Sequence, residues 1–223
     1  QLGYYKKNNI ALINNRLSII DIENGSQPFY GDDENIIVIQ NGEIYNYIEI
    51  KELLIKKGFY FKTNSDTEVI LIAYTCWGDS FINKLNGMFS IAILDKKLNK
   101  LKLFRDRLGV KPLYYYEDNN VILFSSEIKS FLSYKGFKKE LDNQSILNYL
   151  TFNYVTQPDT VFKNVKHVRP GYFYSINLFD FKITQNKYWF LENINLKRNI
   201  SEEKWINQME ELLYDAVKIR LRS

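Results

Sequence analysis

The chain has 223 residues, 45% of them apolar and 25% charged, a composition that excludes disordered and collagen-like classes. Thirty Lys and Arg against 26 Asp and Glu leave a net charge of +4. Spread over this length, with Lys and Glu interspersed, that charge is too dilute for a nucleic-acid surface.

Taken in chain order, Ile10–Asn14 and Leu17–Asp21 are β-rich pieces separated by Arg16. Ile36–Gln40 reads IIVIQ, the continuous apolar run of a strand buried on both faces. Tyr47, Ile50, Leu53 and Leu54 mark one helical face that stops at Gly58. A second helix opens on a Ser65-x-x-Glu68 capping box, and Val69, Ile72, Ala73, Cys76 and Trp77 then follow helical spacing. Gly87–Asp95 and Lys100–Arg105 predict a hairpin, and Leu113–Glu117 with Val121–Ser125 another. A third helix starts near Asp142 and carries Ile146, Leu147 and Leu150. Tyr172–Asn177 and Lys182–Trp189 are further strands. The polar stretch 191–199 reads as a linker, and a last helix from Ser201 carries Trp205, Met209, Leu212, Leu213, Ala216 and Val217 on its apolar face. Strands and helices do not alternate strictly, so antiparallel hairpins covered by helices fit better than one parallel sheet.

Cys76 is the one cysteine and His167 the one histidine, which leaves no disulfide within the chain and no Cys/His cluster for zinc; no metal site is expected. No apolar run reaches the ~20 residues of a membrane span, and residues 1–15 lack the charged start and apolar stretch of a signal peptide. The expected setting is reduced and cytoplasmic. Gln1 in place of an initiator Met suggests a chain that begins inside a longer protein.

Four clusters carry candidate chemistry. Asn41-Gly42-Glu43 follows the buried strand. Locally an Asn-Gly pair is as well read as a turn, but Gly42 also lets a backbone N–H approach a reacting carbonyl, and the Asn41 amide is an uncharged second donor for an oxyanion. Arg16, entering an apolar segment, is either a surface ion-pair partner or a bidentate grip on a carboxylate. Asp66 lies just inside a helix N-terminus, where the helix dipole favours an acid in any case; it is alternatively a counter-ion for an ammonium group. A free α-amino acid needs both an Arg and an acid. Arg105–Tyr115 reads as a structural turn whose alternating charges neutralise one another. Cys76 reads as an inert buried thiol and His167 as a loop residue.

The ordered set Arg-Leu-Ser-Ile (16–19), Asn-Gly-Glu-Ile-Tyr-Asn (41–46), Ser-Asp-Thr-Glu-Val-Ile (65–70), Asn-Gly-Met-Phe-Ser-Ile-Ala (86–92) and Arg-Asp-Arg-Leu-Gly-Val-Lys-Pro-Leu-Tyr-Tyr (105–115) resembles the glutamine-hydrolysing asparagine synthetases. Ser125–Lys129, Val168–Gly171 and Tyr188-Trp189 continue the likeness along the chain. The resemblance implies an α+β fold, the N-terminal-nucleophile hydrolase αββα sandwich of two antiparallel sheets. Residues 1–190 would be a glutamine amidotransferase domain, and 200–223 the first helix of an α/β ATP-pyrophosphatase-type synthetase domain. It implies Asn41 and Gly42 as the oxyanion hole, Arg16 on the glutamine α-carboxylate, Asp66 and Glu43 around the α-ammonium, and Leu17, Ile19 and Ile20 lining the site.

Partners would be glutamine here, and aspartate with ATP and Mg through the synthetase domain, which activates aspartate as an adenylate for attack by ammonia. No nucleic acid or membrane is implied, and a homodimer is left open. Relatives that amidate another carboxylate, such as a sugar acid of a surface polysaccharide, share the pattern, and a non-catalytic binding module is the rival of a different class. The family nucleophile is an amino-terminal Cys whose own α-amine acts as base. With Gln1 at the start and Cys76 in mid-helix, the chain is expected to be an internal fragment. As it stands it is expected to bind glutamine weakly at best and to hydrolyse none.

Overall fold

The computed structural model describes residues 1–17, 19–118, 121–191 and 200–222. Among the described residues the strands are, in chain order, β1 (Leu2–Lys7), β2 (Ile10–Asn15), β3 (Phe29–Tyr30), β4 (Ile36–Ile44), β5 (Gly87–Asp95), β6 (Lys100–Arg105), β7 (Tyr114–Asp118) and β8 (Val121–Ser125). The last three are β9 (Val165–His167), β10 (Tyr172–Asn177) and β11 (Ile183–Lys187). The helices are α1 (Tyr47–Lys56), α2 (Asp66–Trp77), α3 (Asn143–Phe152) and α4 (Glu202–Arg220).

A six-stranded sheet in the order β11-β10-β6-β5-β4-β3 forms the centre, and every neighbouring pair in it is antiparallel. Side-chain alternation along the central strands feeds two cores. Val38, Ile44, Ile91, Ile93 and Phe104 face α1, α2 and the 3-10 turn Gly78–Lys84, meeting Ile50, Leu54, Val69, Tyr74 and Phe81. Ile37, Ile39, Ala92, Leu94, Leu101 and Leu103 face the other way and meet Leu12 of β2, with Tyr115 and Phe124 of β7 and β8 packed against them. The second layer is therefore the β1–β2 pair together with the three-stranded sheet β8-β7-β9. Tyr116 and Val165 on the outer face of the latter pack on Phe131 of the 3-10 turn Ile128–Ser133. These layers are the expected αββα sandwich of antiparallel sheets.

Several local expectations change. Leu17, Ile19, Ile20 and Asp21 are not in a strand: Leu17 is 89% and Ile19 54% exposed, and the Arg16 guanidinium donates to the carbonyl of Ile20 and, at 3.4 Å, to that of Asp21. Asn41-Gly42 is not a turn, because β4 runs through both residues. The Ser65 hydroxyl does cap α2, accepting from Thr67 N–H at 3.2 Å. Glu68, however, does not close a box; its carboxylate accepts from Lys62 N–H and Thr63 N–H, both at 2.8 Å, and from the Thr63 hydroxyl at 2.6 Å. Cys76 is half-buried rather than buried. The linker expected at 191–199 lies, Leu191 apart, outside the described residues. Trp205, Met209, Leu212, Leu213 and Val217 of α4 stand exposed, Ala216 and Ile219 are half-buried, and α4 has no buried residue. It meets the sandwich through Arg220, 4.6 Å over the Tyr45 ring, and through an Arg222–Glu49 pair at 2.7 Å.

The charges of the Arg105–Tyr115 turn offset one another only in part: Asp106 opposes the cost of burying Arg105, and backbone groups satisfy the hydrogen bonds of both. Asp106 is 1% exposed and accepts four backbone N–H bonds, from Phe89, Leu108, Val110 and Lys111 at 2.9–3.2 Å. Arg105 donates to the carbonyls of Lys111, Gly109 and Val168 at 2.7–3.1 Å and to the Gln157 amide oxygen at 3.1 Å.

His167 is not in a loop but in β9, with Nδ1 3.4 Å from the same guanidinium and its ring 4.3 Å from that of Tyr114. Burial first, and the Arg105 charge second, push its pKa down from 6.5 to about 4. A base with a depressed folded pKa is neutral in the fold and protonates first in the unfolded chain. Its contribution is thus complete above about pH 6.5 and is lost as pH falls toward about 4. Halved for partial exposure, the linkage is about 1.5 kcal/mol. Urea unfolding at pH 7 and pH 4.5 should show His167→Gln losing less stability on acidification than the parent by about that amount. Equal losses would show that the ring titrates normally.

Candidate functional site

The site is built on the outer edge of β4. Phe89 opposes Gly42 in the register, and both its N–H and its C=O bond to Asp106, at 3.2 and 3.0 Å. In an antiparallel ladder the N–H and C=O of one residue point to the same side, so Phe89 turns away from β4. Gly42 correspondingly turns away from β5, toward the edge where β3 pairs with Ile37 and Val38. Gln40 and Ile44 share that direction. The Gln40 N–H is taken by the Gln27 amide oxygen at 2.7 Å, and the Ile44 N–H by Asp66 Oδ2 at 3.1 Å. The Gly42 N–H lies between these two capped neighbours.

Gly42 is required there on two counts. Its φ is +148°, and a Cβ would sit 2.0 Å from the Met88 carbonyl oxygen, so only glycine fits. Asn41, next along the strand, points its side chain to the opposite face and donates through Nδ2 to Ser126 Oγ at 3.1 Å. Ser126 belongs to one of the motifs noted in the sequence, where no role could be read for it.

Asp66 is 4% exposed at the first turn of α2. Burial pushes its carboxyl up; hydrogen bonds from the Gln40 side chain, Ile44 N–H and Thr67 N–H, and the Arg16 charge, oppose that shift. The Arg16 guanidinium itself is directed to the carbonyls of Ile20 and Asp21. The loop after Arg16 is tied to the start of α2 by Asp21, whose Oδ2 accepts from Asn64 N–H at 2.7 Å, a bond that holds the Asp21 carboxyl below its ordinary value. Glu43 and Ile20 line one small pocket with Tyr45, Tyr47, Ile219 and Arg222. Leu17 and Ile19 are on the same loop with their side chains toward solvent. Among the described residues no group of three or more His, Cys, Asp or Glu side chains converges as a metal site, and no helix is long and apolar enough to cross a membrane.

The arrangement offers one inward-facing acid, one cation, a backbone N–H and an uncharged amide at the end of one strand, the equipment for holding an amino acid while an oxyanion forms. A family model described as glutamine amidotransferase domain matches residues 1–189, and the chain belongs to that family. Its fold is the N-terminal-nucleophile sandwich of the class II enzymes: a B. subtilis glutamine phosphoribosylpyrophosphate amidotransferase superposes with a TM-score of 0.52 at 20% identity, over 81% of this chain and 34% of that one.

Among curated relatives, asparagine synthetase [glutamine-hydrolyzing] 1 of Bacillus subtilis is 39% identical over 99% of this chain and 34% of its own length. A putative asparagine synthetase [glutamine-hydrolyzing] 2 of Methanocaldococcus jannaschii is 37% identical over 98% of this chain and 45% of its own. The chain thus spans less than half the length of these relatives.

Proposed function

We propose that this domain hydrolyses glutamine to supply ammonia for an ATP-dependent amidation whose acceptor is aspartate and whose product is asparagine. One observation carries the glutaminase reading: the Gly42 N–H is turned to the edge of β4 between two capped neighbours, with Asn41 adjacent. Aspartate and ATP are supported by the names of the relatives that match nearly all of the chain.

In this reading a thiolate attacks the side-chain amide carbon of glutamine, forming a C–S bond and moving the carbonyl π electrons onto oxygen. That oxyanion is met by the Gly42 N–H and by the second Nδ2 proton of Asn41, the first being held by Ser126. Two fixed donors stabilise the charge as it develops. Collapse expels the nitrogen, protonated, as ammonia; water then cleaves the thioester to glutamate and restores the thiol. The nucleophile is assigned to the amino-terminal Cys of the family, since Cys76 packs against the α-helical core.

Arg16 takes the α-carboxylate. A charged acceptor outcompetes the neutral carbonyls of Ile20 and Asp21 because charge-assisted bonds are roughly twice as strong. Asp66, with Glu43, takes the α-ammonium, and Leu17, Ile19 and Ile20 cover the methylenes. ATP and magnesium are assigned to the part of the relatives' length that this chain does not span, and no step in this domain runs through them.

The test is product formation by the intact protein from ATP, magnesium and aspartate, with glutamine or with ammonium as nitrogen source. Asn41→Ala should lower glutamine-dependent kcat/KM by roughly 100-fold and leave ammonium-dependent asparagine formation intact. Equal loss with both nitrogen sources would remove Asn41 from the glutaminase step, and amidation of a different carboxylate would remove aspartate.

A further inference from the structure

Gln40 closes the apolar run IIVIQ as a buried polar residue, 5% exposed. Its Nε2 donates to Thr67 Oγ1 at 2.9 Å, and its amide is among the groups that oppose the upward push of burial on the Asp66 carboxyl. Gln27, 8% exposed, completes the brace from the other side: its Oε1 accepts from Gln40 N–H at 2.7 Å and its Nε2 donates to the same Thr67 hydroxyl at 3.2 Å. Two amides from different segments thus converge on the second residue of α2. The Gln40 Oε1, by contrast, has no hydrogen-bond partner among the described residues. A leucine in that place would avoid burying an unpaired carbonyl, so packing alone does not account for the amide.

We propose that Gln40 is a positioning residue for glutamine: through Thr67, the neighbour of Asp66 at the start of α2, it fixes Asp66 at the edge of β4 in the orientation that receives the α-ammonium. The inference rests on the assignment of Asp66 to that ammonium. The geometry supplies the reason. Asp66 occupies the place of a neighbouring strand at Ile44, and Gln40 lies four residues earlier on the same edge, so the helix start is pinned to the strand at both positions.

A carboxylate this buried resists ionisation, and the donors that face it decide whether it stays charged. Those donors are the Gln40 amide and the N–H groups of Ile44 and Thr67. The charged and titratable groups facing it are Arg16 from the loop after β2, which favours the carboxylate, and Tyr47 of α1, whose own ionisation the Asp66 charge opposes.

The experiment is steady-state glutamine hydrolysis by the intact protein across pH 5–8 for the parent, Gln40→Leu, Thr67→Val and Asp66→Asn. Gln40→Leu should raise KM for glutamine about ten-fold, with a smaller fall in kcat, and move the acid limb of kcat/KM upward by about one pH unit. Thr67→Val should move both in the same direction, and serves alone if Gln40→Leu does not fold. An unchanged KM and acid limb in the folded variants would overturn the proposal and leave a brace that serves stability alone. Asp66→Asn separates the two levels. If it raises KM while Gln40→Leu and Thr67→Val do not, only the positioning role fails; if Asp66→Asn leaves KM unchanged, the ammonium assignment itself fails.

Discussion

Alanine at position 42 is expected to abolish glutamine hydrolysis and to destabilise the sandwich by about 3–5 kcal/mol. The added Cβ meets the Met88 carbonyl oxygen at 2.0 Å and the Phe89 Cα at 2.7 Å. Both are backbone atoms of β5, a strand buried between β4 and β6, and neither can swing aside as a side-chain tip would. The φ of +148° adds strain of its own. Relief requires rotating the peptide or parting the strands, and either moves the N–H assigned to the oxyanion. A displaced donor costs about 100- to 1,000-fold in rate. Urea unfolding of Gly42→Ala measures the first effect. Glutamine turnover, with ammonium-supported synthesis as the internal control, measures the second. Turnover within ten-fold of the parent would show that the Gly42 N–H is not a donor to the reaction.

Asp106→Ala should be the most damaging single change for stability among the side chains of the charged turn. The carboxylate gathers three N–H groups of the turn and that of Phe89 in β5, while Arg105 satisfies the carbonyls of Gly109 and Lys111 in the same loop and of Val168 after β9. Removing the acid orphans the donors and leaves the Arg105 charge, already disfavoured by burial, without the nearby negative charge that offsets it. Each unsatisfied buried donor costs about 1–3 kcal/mol, non-additively, and breaking a buried charged network costs about 3–5 kcal/mol. A loss of about 4 kcal/mol lowers the Tm of a domain this size by about 8–16 °C. Asp106→Asn, which keeps one acceptor oxygen but turns an NH2 toward donors, should fall between. A loss below about 1 kcal/mol for Asp106→Ala would mean that the loop opens to water and satisfies itself there.

These two positions also mark where sequence reading succeeds and stops. The strands Gly87–Asp95 and Lys100–Arg105 are legible to the residue, because a largely apolar run and a Lys-Leu alternation flank the polar turn between them. The Ser65 cap is legible because its partner is two residues away. What sequence misses is non-local. Glu68 has capping-box spacing, yet residues 62 and 63 offer its carboxylate better donors. Asn41-Gly42 carries turn chemistry, but its glycine serves a close approach between strands. Arg105 and His167 are 62 residues apart and meet through the fold. Leu17 and Ile19 look like strand residues because of their composition, whereas the Arg16 guanidinium donates to the carbonyls of Ile20 and Asp21. The site residues Arg16, Asn41, Gly42 and Asp66 were each weak on local grounds; their order along the chain gave them meaning. Gln27 and Gln40 left no signal beyond a polar residue at the end of an apolar run.

Gly42 has a counterpart across the ladder. A Cβ on Gly87 of β5 would lie 2.2 Å from the Glu43 carbonyl oxygen of β4, so each strand fills with its own backbone the space that a side chain on the other would need. In mutational terms the pair is a trap without an exit. Every replacement at either position introduces a Cβ, and no change at the partner relieves it, because the obstructing atom there is a carbonyl oxygen that all residues share. Adaptation of this domain to a new nitrogen donor or a new partner must therefore proceed through the side chains around β4, while the approach of β4 to β5 stays fixed.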